Sequence, residues 1–212
     1  MVAKPIQEQF GQRLMEVFAE FARADLDPPA HLEAHEFAHV EDAELRSELA
    51  RVYYGARWIY KLGLALLVRD EERAAHVRAQ IVDYATVAEG LLTDALAHAI
   101  RSNQTKGAAW RFSDLDRQQK AINWTATNLH ATLARQSFWW LIRVAQEFGI
   151  VRGSLTQELN WLRDHRNSVH LRERSAIGKA AFLNQSKRAF ETVGETIRQT
   201  KIWRVAHASP AT

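Results

Sequence analysis

Apolar side chains recur at three- and four-residue steps along nearly the whole chain, while runs that alternate apolar and polar residues are almost absent. The first spacing lines one face of a helix, the second one face of a strand. No Asn-Gly or Asp-Gly pair marks a hairpin. The spacing therefore predicts an all-α fold. A first helix is expected over 4–24, with Phe10, Leu14, Val17, Phe18 and Phe21 in step, ended by Asp27-Pro28-Pro29 because proline cannot continue a helix. Further helices are expected over 31–69, 71–101, 126–148, 155–171 and 178–204. Residues 102–113 read as a loop, and Ser113 or Asp114 as the cap of a short helix running to about Trp124. Gly149 is a natural stop, and Ser154 with Gln157 forms a capping-box pattern ahead of the helix over 155–171.

A chain of 212 residues can bury one substantial core. It has no cysteine, which excludes disulfides, thiolate metal sites and a cysteine nucleophile. A formal charge of +3 permits a polyanionic partner without demanding one. The start Met-Val-Ala-Lys-Pro-Ile-Gln-Glu lacks the apolar core of a signal peptide, and no apolar run is long enough to span a bilayer. A cytoplasmic protein without a membrane partner is the expectation.

The stretch Leu155–Leu171 carries the chemistry. Leu155, Leu159 and Leu162 form an apolar stripe, and Arg163, Arg166, Asn167 and His170 stand at relative positions 0, 3, 4 and 7. That spacing brings the four polar residues to one side of the helix. Two guanidiniums, an amide and an imidazole suit a phosphate ester. Arginine is a planar, permanently charged fork for phosphoryl oxygens, and histidine titrates near working pH. RNA brings its own nucleophile, the 2′-hydroxyl, so a protein need only position it, move protons and stabilise charge. The same residues also suit a plain polar helix end, with the arginines paired to Asp164 and Glu173.

The pattern Leu159-x-x-Leu162-Arg163-x-x-Arg166-Asn167-x-x-His170-Leu171, following a tryptophan- and leucine-rich helix and a Gly-containing turn, resembles the HEPN domains. Their hallmark is an Arg with a polar follower, four to six residues, then a His. Read from Arg163, with Asp164 following, six residues intervene before His170; read from Arg166, with Asn167 following, three do. Both arginines remain candidates for the hallmark position. The resemblance covers roughly 75–205, with Tyr84–Leu92 similar to an earlier helix of such domains. It implies a HEPN-like helical bundle over 71–205, an N-terminal accessory helical segment over 1–70 and a frayed tail over 206–212.

As to activity, the resemblance implies metal-independent RNA cleavage without a cofactor, leaving 2′,3′-cyclic phosphate ends. His170 would be the general acid/base, Arg163 and Arg166 the phosphate clamp, Asn167 the orienting residue and Asp164 the holder of one arginine. Active members pair two such helices in a homodimer, and many belong to toxin–antitoxin, antiphage or stress systems, where an antitoxin or regulatory protein restrains them. Other members keep the fold without activity and bind a nucleotide, RNA or a partner protein.

Other features compete. His35-Glu36-Phe37-Ala38-His39 matches H-E-x-x-H, in which two imidazoles a helical turn apart bind zinc and the glutamate activates water. Glu33 and Glu41 are poor neighbours for such a site, which makes His35 and His39 weak metal candidates and a zinc hydrolase a minor alternative. Basic residues toward the C-terminus (Arg172, Arg174 and Lys179, then Lys187, Arg188, Arg198, Lys201 and Arg204) would attract phosphates beside a nuclease cleft, or simply solvate a helix surface. Trp139, Trp140 and Trp161 read as packing, whereas Trp110, beside Lys106 and Arg111, reads as a nucleic-acid contact.

Overall fold

The computed structural model describes residues 5, 8, 10–102, 129–167 and 182–207. Among them are eight helices and no strand: α1 Gln12–Arg23, α2 Pro29–His35, α3 Ala43–Ala65, α4 Asp70–Arg101, α5 Leu129–Leu133, α6 Phe138–Glu147, α7 Leu155–Asn167 and α8 Phe182–Ala206. The all-α expectation is met. No helix of the described residues is long and apolar enough to cross a membrane. The loop and short helix expected over 102–124 lie, apart from residue 102, outside the described residues.

Helix α4 is the axis. It packs against α3, α5, α6, α7 and α8, and Ala85, Ala88, Leu91, Leu92, Ala95 and Ala99 are all at most 1% exposed. Its first turn carries Asp70, Glu71 and Glu72, favourable charge for the positive end of the helix dipole. The Glu72 carboxylate accepts from the Arg69 backbone N–H at 3.3 Å. At Gly90 the neighbouring helix comes so close that an added Cβ would lie 2.7 Å from Leu49 Cδ2.

Three expectations need correction. Residues 31–69 do not form one helix: α2 stops at His35, and a turn over 36–42 precedes α3. Phe37 and Val40 within that turn are buried at 0% and 1% exposure. Asp42 caps α3 by accepting from Leu45 N at 2.9 Å. The helical period continued through a segment whose apolar residues are buried from a turn instead. Residues 126–148 are likewise divided, because Ser137 caps a new helix by accepting from Trp140 N at 3.2 Å.

The third correction is α1. The helix expected over 4–24 is broken at Gly11, at φ +79°, and α1 runs from Gln12 to Arg23. Its stripe of Leu14, Val17 and Phe21 is 41–52% exposed, and it is Ala22 that is sealed. An apolar stripe says which face avoids water, not which neighbour covers it.

Helix α6 ends as expected at Gly149, whose φ of +66° closes a Schellman turn. Ile150 N donates to Ala145 O at 2.9 Å, and Gly149 N to Gln146 O at 3.0 Å. That turn redirects the chain into α7, whose Leu155, Leu159 and Leu162 are at most 2% exposed. Burying this stripe fixes the rotation of α7 and hence the direction of its polar residues. Leu162→Ala should therefore lower stability by about 2–5 kcal/mol, read by urea denaturation. Val205→Ala, at a position 75% exposed, should change it by no more than about 0.5 kcal/mol.

Candidate functional site

The polar side of α7 follows from its buried one. Arg163 and Arg166 are half-buried, and Asp164 and Asn167 are exposed. Arg163 is held by its own helix: Nη1 donates to Asn160 Oδ1 at 2.8 Å, while Nε and Nη2 donate to Asp164 Oδ1 at 3.0 and 2.6 Å. Arg166 is held across helices, with Nη1 2.8 Å from Glu89 Oε2 of α4. The two guanidiniums, three residues apart, are neighbours on the helix surface.

The first half of α7 is tied to α8. Arg188 donates from Nε and Nη2 to the Glu158 carboxylate at 2.6 and 3.0 Å, which holds that carboxyl below its ordinary range. The same guanidinium lies 4.3 Å from the Trp161 ring centroid. Trp161 in turn lies against the His165 ring at 4.2 Å, and His165 Nδ1 meets Trp161 O at 2.9 Å. Trp140, at 2% exposure, is core as expected.

His170, Arg172, Arg174, Lys179, Glu173 and Trp110 lie outside the described residues. The basic residues of α8 do not form a free stripe. Lys187 approaches Glu191 at 3.7 Å, Arg198 pairs with Glu195 at 2.5 Å, and Arg204 is buried at 7% exposure.

Arg204 belongs to a second polar cluster. Its Nη2 donates to Asp94 Oδ2 at 3.2 Å, its Nε to His39 O at 3.1 Å, and its Nη1 stands 3.1 Å from Glu41 Oε1. Asp94, 1% exposed, also accepts from Glu41 N at 3.2 Å. Glu41 meets His98 Nδ1 at 2.8 Å and pairs with Arg101. Burial raises the Asp94 carboxyl above its ordinary value. Burial alone would raise Glu41 too, but the His98 hydrogen bond and the charges of Arg204 and Arg101 outweigh it and lower that carboxyl. The sequence signal for this cluster was Asp94 itself, a charge set among the small and apolar residues of α4.

The zinc pattern loses its geometric basis in this cluster. His35 ends α2 and His39 lies in the following turn, so the two do not share one helix face. His35 Nδ1 meets His31 O at 2.9 Å, while His39 Nε2 meets Thr200 Oγ1 at 3.0 Å. Thr200 Oγ1 donates to Thr196 O at 2.8 Å, so it is His39 Nε2 that donates to Thr200. No group of three or more His, Asp or Glu side chains among the described residues is placed to hold a metal ion.

No family model matches the chain, and no curated protein or solved structure matches it.

Burial lowers His39 from an ordinary 6.5 to about 4. The folded state thus holds this proton more weakly than the unfolded state does. The stability His39 contributes is complete above about 6.5 and is lost as pH falls toward about 4. Denaturation measured between these limits should show wild-type stability falling by on the order of 2 kcal/mol more than that of His39→Asn. Parallel acid limbs for the two proteins would assign the loss to other groups.

Proposed function

We propose that this chain is a metal-independent endoribonuclease of the HEPN type, with α7 as its catalytic helix. The observation that carries the reading is the half-exposed Arg166, beside Arg163 and oriented by Glu89 of the central helix. A guanidinium fixed in this way is pre-positioned for a phosphoryl group, which lessens the ordering required when substrate binds.

In the proposed reaction the 2′-hydroxyl loses its proton and attacks the adjacent phosphorus. The bond from phosphorus to the 5′-oxygen breaks, and that oxygen takes up a proton. The products are a 2′,3′-cyclic phosphate and a 5′-hydroxyl. His170 serves the proton transfers as general acid/base. Arg166 takes the phosphoryl oxygens, with Glu89 holding one edge of its fork. Arg163 adds charge, but its three nitrogens already face Asn160 and Asp164, so it contributes more to positioning. Asn167 orients the reacting groups by hydrogen bonding. Arg172, Arg174 and Lys179 attract the RNA backbone.

The resemblance extends the proposal to a homodimer whose two signatures share a cleft. It also extends it to a toxin–antitoxin, antiphage or stress role with a restraining partner. One observation favours a second reading, a non-catalytic HEPN module that binds nucleotide, RNA or protein: both arginines of α7 already have carboxylate partners, Asp164 and Glu89. A phosphate must compete with these for the guanidiniums.

Incubation of labelled RNA in EDTA separates the two readings. The nuclease reading expects cleavage by the wild-type chain and a loss of about 100-fold or more in His170→Ala. Arg166→Ala should lose more activity than Arg163→Ala, with helical circular dichroism unchanged in all three. Undiminished cleavage by His170→Ala removes the proposed chemistry. Binding without cleavage by the wild-type chain favours the second reading.

A further inference from the structure

Arg57 of α3 is half-buried yet, among the described residues, pairs with no carboxylate. Arg163, Arg166, Arg188, Arg198 and Arg204 each have one. The Arg57 guanidinium carbon lies 5.9 Å from the Phe190 ring centroid, and Nη2 reaches the Asp25 carbonyl only at 3.5 Å, longer than an ordinary hydrogen bond. Lys61 is already offset by Asp25, with Nζ 3.4 Å from Oδ2. Lys187 of α8 adds an exposed cation, 3.7 Å from Glu191. These three cations line a cavity of about 470 Å³ between α3, α4, α8 and the turn that joins α1 to α2.

Tyr60 borders this cavity and a second one, of about 280 Å³, between the end of α3 and the start of α4. Most polar side chains of the second are turned to partners of their own. Arg73 donates to the Val68 carbonyl from Nη2 and Nε at 3.1 and 3.3 Å, His76 Nδ1 meets the Ile59 carbonyl at 3.3 Å, and Gln80 accepts from Ser186. Arg69 is exposed. What is left to a ligand is mainly hydrocarbon, from Leu64, Leu67, Val68 and Val77. Leu67 is 74% exposed and holds φ +51°, a conformation uncommon in any residue but glycine. A leucine there gains nothing from the core, and strained positions of this kind cluster at ligand sites.

We infer that the two cavities form one site for a free medium-chain fatty carboxylate, its head on Arg57 and Lys187 and its chain passing Tyr60 into the apolar cavity. A carboxylate fits the planar fork of Arg57. A single negative charge suits a lining in which Asp25 already offsets Lys61. Arg57 and Leu64 are seven residues apart on α3, about 10 Å along the helix axis, so a ligand that reaches both needs an extended alkyl chain. No residue of α7 lines either cavity, and the site does not depend on the proposed ribonuclease chemistry.

Isothermal titration of the full chain with hexanoate, octanoate, decanoate and 1-decanol tests the assignment. Each added pair of methylenes should tighten binding by roughly threefold to tenfold. Decanoate should bind at least roughly tenfold more tightly than 1-decanol. Arg57→Gln should weaken decanoate by roughly tenfold and leave 1-decanol unchanged. Lys187→Gln, at an exposed position, should act in the same direction by roughly threefold. Leu67→Asn, in which asparagine tolerates the same φ, should weaken both ligands without lowering the urea midpoint. The assignment is overturned by no heat from decanoate up to about 1 mM, by affinity that does not rise with chain length, by 1-decanol binding as tightly as decanoate, or by variants indistinguishable from wild type.

Discussion

Burial of α4 is the constraint from which the rest of this structure follows. At 32 residues it is the longest helix described, about 48 Å from end to end. Five other helices lean on it. Its alanines and Gly90 let those neighbours approach closely, so the packing surface is the helix backbone as much as its side chains. One buried core cluster consequently joins Leu32, Phe37 and Val40 of the N-terminal segment to Leu159 and Leu162 of α7 and to Val193 and Trp203 of α8. Whatever α7 presents to solvent is set by how it seats on this axis.

The one buried charge of α4 does a different job. Asp94 would be strongly unfavourable in this interior if left alone. Arg204 meets it from α8, and the Glu41 amide meets it from the turn over 36–42. Arg204 also binds the His39 carbonyl in that turn, and His39 reaches Thr200. Nonpolar packing is tolerant of small slips along a helix, whereas a hydrogen-bonded charge pair is not. The cluster thus ties the N-terminal segment, the axis and α8 together through hydrogen bonds and ion pairs. A sequence that reads like a metal motif is here a structural clasp.

Much of the architecture was legible because helix formation is a local affair. The span of α4, the end of α6 at Gly149 and the stripe of Leu155, Leu159 and Leu162 all follow from spacing and turn chemistry within a few residues. The break over 36–42 was not legible, because Phe37 and Val40 fit a helical period as well as they fit a buried turn. Only distant partners, Asp94, Thr200 and Arg204, decide between the two. The outward stripe of α1 escaped for a similar reason, since period fixes an apolar face but not its neighbour. At the candidate site, adjacency of Arg163 and Arg166 followed from their three-residue spacing. The hold of Glu89 on Arg166 joins residues 77 positions apart and had no local signal beyond a charge beside an apolar stripe.

The proposed function comes down to one pairing, in which Arg166 of α7 supplies fixed positive charge and His170 a titratable ring to a phosphodiester. A phosphodiester opened by its own 2′-hydroxyl leaves a distinct chemical scar, independent of which RNA is cut or how fast. The most direct measurement is mass spectrometry of the fragment ends formed from a defined RNA in metal-free buffer. The account predicts 2′,3′-cyclic phosphate on one fragment and a 5′-hydroxyl on the other. Fragments bearing a 5′-phosphate and a 3′-hydroxyl would contradict it, since those ends require attack by water rather than by the RNA itself.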